Sequence, residues 1–310
     1  MKRGIGRPML FPLEPHPLAD LLASKLSGDL GKVERRDFPD GESYLKFPQP
    51  VSKRHCVVVA DLSHPNDKYL PLLFMLDTLR ELGAASIGLV APYLCYMRQD
   101  RRFVDGEAVT SRLFARDLSQ HIDWLVTVDP HLHRYHSLDE IYSVPCCVVP
   151  GASALARWLE TQEGLLLVGP DAESEQWVSD IARRSGHPFV IGEKKRLGDR
   201  RVEITLPVLD VHQQFDAQQQ KTAVIIDDVI SSGQTILQCI AALKAKGFNK
   251  IQCVAVHGIF ADGVDAQLLA AGLEDLVTTN TIAHRSNAID ISELLVPPIT
   301  QFLQDLESLD

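Results

Sequence analysis

The chain has 310 residues, a length typical of about two domains, and 45% of its residues are hydrophobic, which is enough for two packed cores. Its formal net charge at pH 7 is −10, so we expect no nucleic-acid partner. No segment reaches membrane-spanning length, and residues 1–13 contain no sustained apolar stretch. We therefore expect no membrane partner and a cytoplasmic location.

The cysteines point to a reducing compartment. They fall mostly inside apolar runs, and none forms a CxxC pair or a zinc-binding spacing. The six positions are Cys56, Cys95, Cys146, Cys147, Cys239 and Cys253. We expect buried, reduced thiols.

Short apolar runs alternate with amphipathic segments along the whole chain. The runs typical of buried strands are Cys56–Ala60, Ile87–Val90, Leu125–Val128, Leu165–Val168, Phe189–Ile191, Ala223–Ile226, Ile251–Val256 and Leu276–Thr279. Helical spacing predicts helices at Pro17–Leu26, Tyr69–Leu82, Ser111–Gln120, Ala152–Thr161, Glu175–Ser185, Ile236–Lys246, Val264–Ala271 and Pro298–Ser308. This alternation predicts an α/β fold with largely parallel sheets.

The chain also contains an internal repeat. The segments Val57–Leu62 and Val224–Val229 are both apolar runs with an Asp near the end, and a loop, a helix and another strand follow each one. The repeat predicts two similar domains, residues 1–149 and 150–310, although chance similarity between two strand–helix–strand units is the alternative. The loop of the first copy contains Pro65, which lacks the N–H group that a phosphate-binding loop needs. We therefore do not expect the first copy to bind a sugar phosphate.

The second copy has the features of a site for a phosphorylated sugar. Its strand Ala223–Ile226 is followed by Asp227 and Asp228, and then by small polar residues that open a helix: Ser231, Ser232, Gly233, Gln234 and Thr235. Ligands of parallel sheets bind at the carboxyl ends of the strands, and a loop that opens a helix presents N–H groups to a phosphate. The two carboxylates suit ribose hydroxyls or a metal ion. The alternative is a solvated strand-to-helix turn.

Five further polar motifs lie in turns or just after strands. They are Phe38-Pro-Asp-Gly-Glu42, Arg98-Gln-Asp-Arg-Arg102, the segment ending in Asp129-Pro-His131, the segment ending in Asp171, and the basic segment Glu193–Arg201. Clustered arginines can bind a polyphosphate through their forked donors, and an Asp–His cluster can bind a divalent cation. Taken singly, each motif is explained as well by a solvated turn or an ordinary hydrogen-bonded side chain.

Taken together and in this order, the motifs resemble those of the ribose-phosphate diphosphokinase family, from about Phe38 to the end of the chain. The resemblance implies two similar type I phosphoribosyltransferase-like domains, each a largely parallel sheet flanked by helices. It implies transfer of the diphosphoryl group of ATP to ribose 5-phosphate, with Mg²⁺ as cofactor, in a homo-oligomer that is a dimer or larger. The alternatives are a phosphoribosyltransferase that consumes phosphoribosyl diphosphate and a non-catalytic regulatory paralogue.

The resemblance also implies a role for each motif. ATP binding falls to Phe38, Asp40, Glu42, Arg98, Gln99 and Asp100, with Phe38 reaching the site of a neighbouring subunit. Metal binding falls to His131, Asp171 and Asp129. Catalysis falls to Lys194 and Arg196. Binding of ribose 5-phosphate falls to Asp227, Asp228, Ser231, Ser232, Gly233, Gln234 and Thr235.

Three positions depart from the commonest bacterial pattern. Ser231 stands where an acid is usual, Gln234 where a glycine is usual, and Pro130 where a leucine is common. The Phe38 motif and Ser231 are more similar to the archaeal-type branch of the family. These departures put allosteric effectors, oligomer size and nucleotide preference in doubt, while the implied catalytic groups are all present.

Overall fold

A computed structural model describes residues 6–132, 134–196, 202–206 and 222–308. The chain forms two compact units. The first consists of Met1–Pro150, Thr281–Ala283 and Ile291–Asp310, and the second of Gly151–Asn280 and His284–Asp290.

The eight helices and eight strands predicted from the sequence are all present, and further short strands occur among them. The strands are β1 (Met9–Pro12), β2 (Asp29–Leu30), β3 (Glu34–Asp37), β4 (Ser43–Lys46), β5 (His55–Val59), β6 (Ser86–Ala91), β7 (Trp124–Val128), β8 (Cys146–Val149), β9 (Leu165–Gly169), β10 (Phe189–Ile191), β11 (Glu193–Arg196), β12 (Val202–Thr205), β13 (Thr222–Ile230), β14 (Lys250–Gly258), β15 (Asp275–Thr279) and β16 (Asn287–Ile289). The α-helices are α1 (Pro17–Lys25), α2 (Asn66–Glu81), α3 (Thr110–Leu118), α4 (Ala152–Glu160), α5 (Glu175–Ser185), α6 (Gln234–Ala245), α7 (Val264–Ala270) and α8 (Ser292–Glu307).

Each unit is built on a six-stranded sheet, and the two sheets have the same strand order. The order is β2-β1-β5-β6-β7-β8 in the first unit and β10-β9-β13-β14-β15-β16 in the second. All neighbouring strands in both sheets are parallel. The predicted α/β fold with two similar, largely parallel domains is therefore confirmed.

The repeat extends beyond the segments in which the sequence revealed it. Between its second and third sheet strands, each unit has an antiparallel pair of four-residue strands, β3–β4 in the first and β11–β12 in the second. Residues 38–42 lie between the strands of the first pair, and Lys194 and Arg196 lie in the first strand of the second pair. The proposed ATP-binding loop and the proposed catalytic segment thus belong to equivalent elements of the two units.

The last helix of the chain belongs to the first unit. The predicted boundary put it in the second domain, but α8 packs against α1, β7 and β8. Phe302 stacks on the buried Trp124 with ring centroids 5.2 Å apart. Gly88 makes room for this indole on the neighbouring strand, because a Cβ atom there would lie 1.9 Å from the Trp124 ring.

The helix that follows the last strand of the first sheet is exchanged in the opposite direction. This helix, α4, belongs to the second unit, where it packs against α5.

The predicted start of one helix and the predicted end of one strand were wrong, and the packing of each element explains the difference. The helix α8 begins at Ser292 and continues through Pro297 and Pro298, whereas the prolines favoured a start at Pro298. Burial of Leu295 and Ile299 stabilises the turns on both sides of them. The strand β13 continues through Asp227 and Asp228 to Ile230, because β14 also continues and pairs Ile230 with Gly258.

The thiols behave as expected from the sequence, where the structure describes them. Four cysteines are buried and two are half-buried, and all six are free. Burial raises the pKa of Cys56 and of Cys239 to about 12. In the described part of the chain, no helix combines the length and the apolar character needed to cross a membrane.

The packing of α8 predicts a specific loss of stability. Leu303 is buried on this helix, whereas its neighbour Gln304 is exposed. Replacement of Leu303 by Ala should lower the free energy of unfolding by about 2–5 kcal/mol, because it removes buried methyl groups and leaves a cavity. Gln304→Ala is the matched control and should change it by less than about 0.5 kcal/mol. Urea denaturation followed by circular dichroism measures both, and equal effects would mean that α8 does not pack as described.

Candidate active site

The second unit brings three carboxylates to the carboxyl edge of its sheet. Asp227 and Asp228 lie near the end of β13, and Asp171 lies two residues beyond the end of the neighbouring strand β9. The register pairs Val168 with Ile225, so Asp171 is level with Asp228. The edge predicted to bind a sugar phosphate is therefore also acidic.

The environment of Asp227 strongly shifts the pKa of its carboxyl group. Burial and then the charge of Asp228 raise its pKa well above the ordinary value, and the charge of Asp171 raises it further. One of its oxygens accepts a hydrogen bond from the backbone N–H of Asp228 at 3.0 Å. Because the charges of Asp228 and Asp171 both act on Asp227, an incoming cation or hydroxyl donor would relieve their repulsion.

The loop after β13 leads into a helix whose first turn is not capped by a side chain. Gly233 is the N-cap residue of α6 and has a φ of 67°, and a Cβ atom there would lie 2.6 Å from Val264. The carbonyl oxygens of Ile230 and Ser231 accept hydrogen bonds from backbone N–H groups of residues 259–261. The carbonyl groups of the loop are thus fixed by hydrogen bonds. The N-cap residue, Gly233, has no side chain that could accept hydrogen bonds from the N–H groups of the first turn of α6, so these groups can donate to a bound anion.

The proposed catalytic residues lie in the antiparallel pair of the same unit. The backbone of Lys194 is paired with that of Ile204, and the backbone of Arg196 with that of Val202. The pair begins where the edge strand β10 ends, and Gly192 there donates to the carbonyl of Gly169 at 2.8 Å. The side chains of Lys194 and Arg196, and residues 197–201 of the basic segment, lie outside the described part of the structure.

The equivalent edge of the first unit contains a lysine among its acids. Pro12 is paired with Val59, so Glu14 and Asp61 are level with each other, as Asp171 and Asp228 are in the second unit. The ammonium group of Lys68 lies 3.2 Å from the Asp61 carboxylate and 3.3 Å from the Glu14 carboxylate. Lys68 therefore pairs with both acids of this edge, and its single positive charge offsets half of their combined charge.

The proposed adenine-binding residue lies in the turn between β3 and β4. Phe38 is 38% exposed, and the guanidinium of Arg36 lies 4.6 Å from its ring centroid and 4.5 Å from that of Tyr44. The backbone N–H of Phe38 donates to the carbonyl of Glu42 at 2.7 Å, and the Asp40 carboxylate accepts from the Glu42 N–H at 3.2 Å. The Phe38 ring is therefore partly exposed, and Arg36 and the hydrogen bonds within the turn hold it in place.

The segment Arg98–Asp100 presents its three side chains differently. Arg98 is exposed, Gln99 is half-buried and Asp100 is buried. Both carboxylate oxygens of Asp100 accept hydrogen bonds from Nη1 of Arg134, at 2.7 and 2.9 Å. Asp100 is thus held inside the first unit, and its direct contact with a nucleotide stays a prediction. Sequence reasoning missed Arg134, because nothing in a spacing of 34 residues signals the contact.

The residues predicted to bind metal after β7 have a strained backbone. Asp129 has a φ of 35° and His131 a φ of 60°, values that residues with a Cβ atom rarely adopt. Strain of this kind occurs most often at functional sites. Within the described ranges, no three His, Cys, Asp or Glu side chains lie close enough to hold a metal ion by themselves.

The comparisons with known proteins agree with this geometry. Residues 9–121 match the N-terminal domain of ribose phosphate pyrophosphokinase, and residues 208–307 match the phosphoribosyl synthetase-associated domain. The chain is 33% identical over 289 residues to the ribose-phosphate pyrophosphokinase of Methanopyrus kandleri, a match that covers 92% of this chain and 94% of the relative. The chain belongs to the ribose-phosphate pyrophosphokinase family.

A second relative and a crystal structure extend the comparison. The ribose-phosphate pyrophosphokinase of Saccharolobus solfataricus is 33% identical over 88% of this chain and 93% of its own length. The crystal structure of phosphoribosylpyrophosphate synthetase from Mycobacterium smegmatis superposes with a TM-score of 0.79 over 97% of this chain and 100% of that chain, at 24% identity. The crystal structure supports the fold of this family member, and the archaeal relatives accord with its archaeal-type motifs.

The raised pKa of Asp227 predicts a pH-dependent cost to stability. A raised pKa means that the folded protein binds this proton more tightly than the unfolded chain does. The stability contributed by the protonated carboxyl is present below the ordinary carboxyl pKa and is lost as the pH rises through the raised value. Asp227→Asn should therefore raise the melting temperature relative to the natural protein, by about 2 °C or more at pH 8 and by less at pH 5.

Differential scanning calorimetry at both pH values measures this effect. Glu274→Gln, at the exposed amino end of β15, is the control and should show no such pH dependence. A gain for Asp227→Asn that is equal at pH 5 and pH 8 would contradict the assignment.

Proposed function

We propose that this protein transfers the diphosphoryl group of ATP to the anomeric hydroxyl of ribose 5-phosphate, which gives 5-phosphoribosyl 1-diphosphate and AMP. Membership of the ribose-phosphate pyrophosphokinase family supports this reaction. The observation that carries it is the position of Asp227 and Asp228 on β13, directly before the uncapped first turn of α6. A sugar phosphate can bind both features at once, with its hydroxyls on the acids and its phosphate on the turn.

The second unit would bind the sugar through two kinds of contact. Backbone N–H groups from Ser231 to Thr235 would donate to the 5-phosphate, and the hydroxyls of Ser232 and Thr235 add donors. Asp227 and Asp228 would accept hydrogen bonds from the ribose hydroxyls. These contacts hold the anomeric hydroxyl in one orientation, which lowers the entropy cost of the transfer step.

The nucleotide would be bound by elements of the first unit. Arg98 and Gln99 would hold the phosphates, and Phe38 would stack on adenine while Asp40 and Glu42 bond its edge. Phe38 would serve the site of a neighbouring subunit, so the active protein would be at least a dimer. Sedimentation of a fully active monomer would rule this arrangement out.

The transfer itself forms one bond and breaks one bond. The anomeric oxygen bonds to the β-phosphorus of ATP and loses its proton, while the bond from that phosphorus to the oxygen leaving with AMP breaks. Lys194 and Arg196 would stabilise the negative charge that develops on the moving group and on AMP. A segment that closes over the substrates would also exclude water and limit hydrolysis of ATP.

The carboxylates of the site fit the magnesium ion that the resemblance implies. Asp171 lies near enough to Asp227 for its charge to raise the pKa of that carboxyl, and Mg²⁺ takes one or two carboxylates in addition to substrate phosphates and water. The resemblance assigns magnesium binding to Asp171 in the second unit and to His131 and Asp129 in the first. Bound Mg²⁺ would neutralise phosphate charge during the transfer.

Two alternatives make different predictions about the substrates. A phosphoribosyltransferase would consume phosphoribosyl diphosphate together with a base or an amine. A regulatory paralogue would bind partner subunits without catalysis, which the retention of Lys194, Arg196 and the acid pair disfavours. Both alternatives predict no formation of AMP from ATP and ribose 5-phosphate.

We therefore expect the purified protein to form AMP from ATP only when ribose 5-phosphate and Mg²⁺ are both present. Chromatography measures AMP, and mass spectrometry identifies 5-phosphoribosyl 1-diphosphate as the second product. Omission of the sugar phosphate is the control for simple ATP hydrolysis. A folded protein that forms no 5-phosphoribosyl 1-diphosphate with Mg²⁺ supplied would exclude the proposed reaction.

The basic segment supplies a second test. Lys194→Ala and Arg196→Ala should each lower kcat by about 10²-fold or more, the loss typical of removing one preorganised charge donor. The KM for ATP should change far less, because contacts made mainly in the transition state affect rate more than ground-state binding. Steady-state kinetics measures both constants. Lys195→Ala is the control and should stay near the natural rate. A damaging Lys195→Ala together with a harmless Lys194→Ala would contradict the assignment of Lys194 to catalysis.

A further inference from the structure

The segment Arg98–Asp100 is tethered to the rest of the first unit at several points. The Asp100 side chain is only 1% exposed, and Arg134 supplies the counter-ion for its carboxylate. A buried carboxylate without a counter-ion is unfavourable, so this pair holds the segment in one position. The tether comes from the loop after β7, the same loop that carries His131.

A second set of contacts fixes the backbone of the same segment. The hydroxyl of Tyr135 donates to the carbonyl oxygen of Asp100 at 3.0 Å and lies 3.0 Å from the hydroxyl of Ser111. The backbone N–H of Ser111, at the start of α3, donates to the carbonyl of Gln99 at 3.3 Å. These contacts occupy the backbone acceptors and the carboxylate, while Arg98 stays exposed to a ligand.

We propose that Arg134 is a positioning residue for the nucleotide site. It acts through Asp100, and it fixes the direction in which Arg98 and Gln99 meet the phosphates of ATP. It also joins this segment to the loop of His131, so that the distance between the phosphate-binding residues Arg98 and Gln99 and the metal-binding residue His131 stays constant. This inference rests on the proposed function, which assigns Arg98 and Gln99 to the nucleotide.

The structure contains a matched control pair in the same unit. Arg80 contacts both carboxylate oxygens of Asp123, at 3.0 and 3.1 Å. The two arginines are equally accessible, because the side chain of Arg134 is 43% exposed and that of Arg80 is 42% exposed. Asp123 directly precedes β7, at the sheet edge opposite to the proposed site, and its side chain is 31% exposed. Loss of Arg80 therefore removes an ion pair without disturbing the nucleotide segment.

The test compares single and double variants in steady-state kinetics. Arg134→Gln should lower kcat/KM for ATP by about 10- to 100-fold, since a misplacement of about 1 Å can cost 10² in rate. The KM for ribose 5-phosphate should stay within about twofold, because its site lies on the second unit. Arg134→Lys keeps the counter-ion, and the contact with Asp100 uses only Nη1 of Arg134, so the lysine should recover part of the loss.

Non-additivity separates positioning from an independent contact of Arg134 with ATP. Asp100→Asn should reproduce the kinetic defect of Arg134→Gln, and the double variant should be no worse than the more damaged single variant. Arg80→Gln should keep the natural constants for both substrates. Thermal unfolding of every variant identifies losses of activity that result from a smaller folded fraction.

Calorimetric binding of a non-hydrolysable ATP analogue keeps the inference separate from the proposed reaction. If the natural protein forms no 5-phosphoribosyl 1-diphosphate, the proposed function fails, while weaker analogue binding by Arg134→Gln still supports positioning. Folded Arg134→Gln with natural ATP constants and natural analogue binding would overturn the inference. Defects that add fully in the double variant would overturn it as well, since they would assign Arg134 and Asp100 separate roles.

Discussion

Parallel strands end at the same edge of a sheet, and the proposed chemistry depends on this constraint. In the second unit, β9 and β13 are neighbours, so residues that are 56 positions apart in sequence, Asp171 and Asp227, come to one edge. The same edge receives the start of α6 and the start of the antiparallel pair that contains Lys194. Acids, N–H donors and a basic segment are thus combined by topology.

The two units show how one arrangement can serve two purposes. Glu14 and Asp61 repeat the positions of Asp171 and Asp228, but Ala60 stands where the second unit has Asp227. Lys68 then forms ion pairs with both of the remaining acids, Glu14 and Asp61. The first unit gains a stable ion-pair network, whereas the second keeps an acid with a raised pKa that a ligand can stabilise. Binding sites commonly retain such unfavourable interactions because their function requires them.

Buried charge also explains how the exposed ligand groups of the first unit are held. An exposed ion pair such as that of Arg80 with Asp123 contributes little to stability and tolerates several geometries. The buried carboxylate of Asp100 tolerates few, because loss of its contact with Arg134 removes the counter-ion of a charge that is almost wholly shielded from water. The ion pair of the buried Asp100 with Arg134 can therefore orient Arg98, the exposed arginine two residues before Asp100.

The sequence by itself determined the fold class, the repeat and most of the candidate residues. Apolar periodicity is a local signal, so the central strands and most helices were predictable, as was the acid pair before the helix α6. Eight strands of four residues or fewer were missed because so short a run carries little periodic signal: β1, β2, β3, β4, β8, β11, β12 and β16. Of these, β3 and β4 are also rich in polar residues. Only the tertiary structure decided that β13 runs through its acids, since that depends on the length of its neighbour β14. It also decided that α8 joins the first unit, that Lys68 neutralises Asp61, and that Arg134 binds Asp100. These outcomes depend on contacts between residues distant in sequence or on the burial of a charge, and no local pattern contains that information.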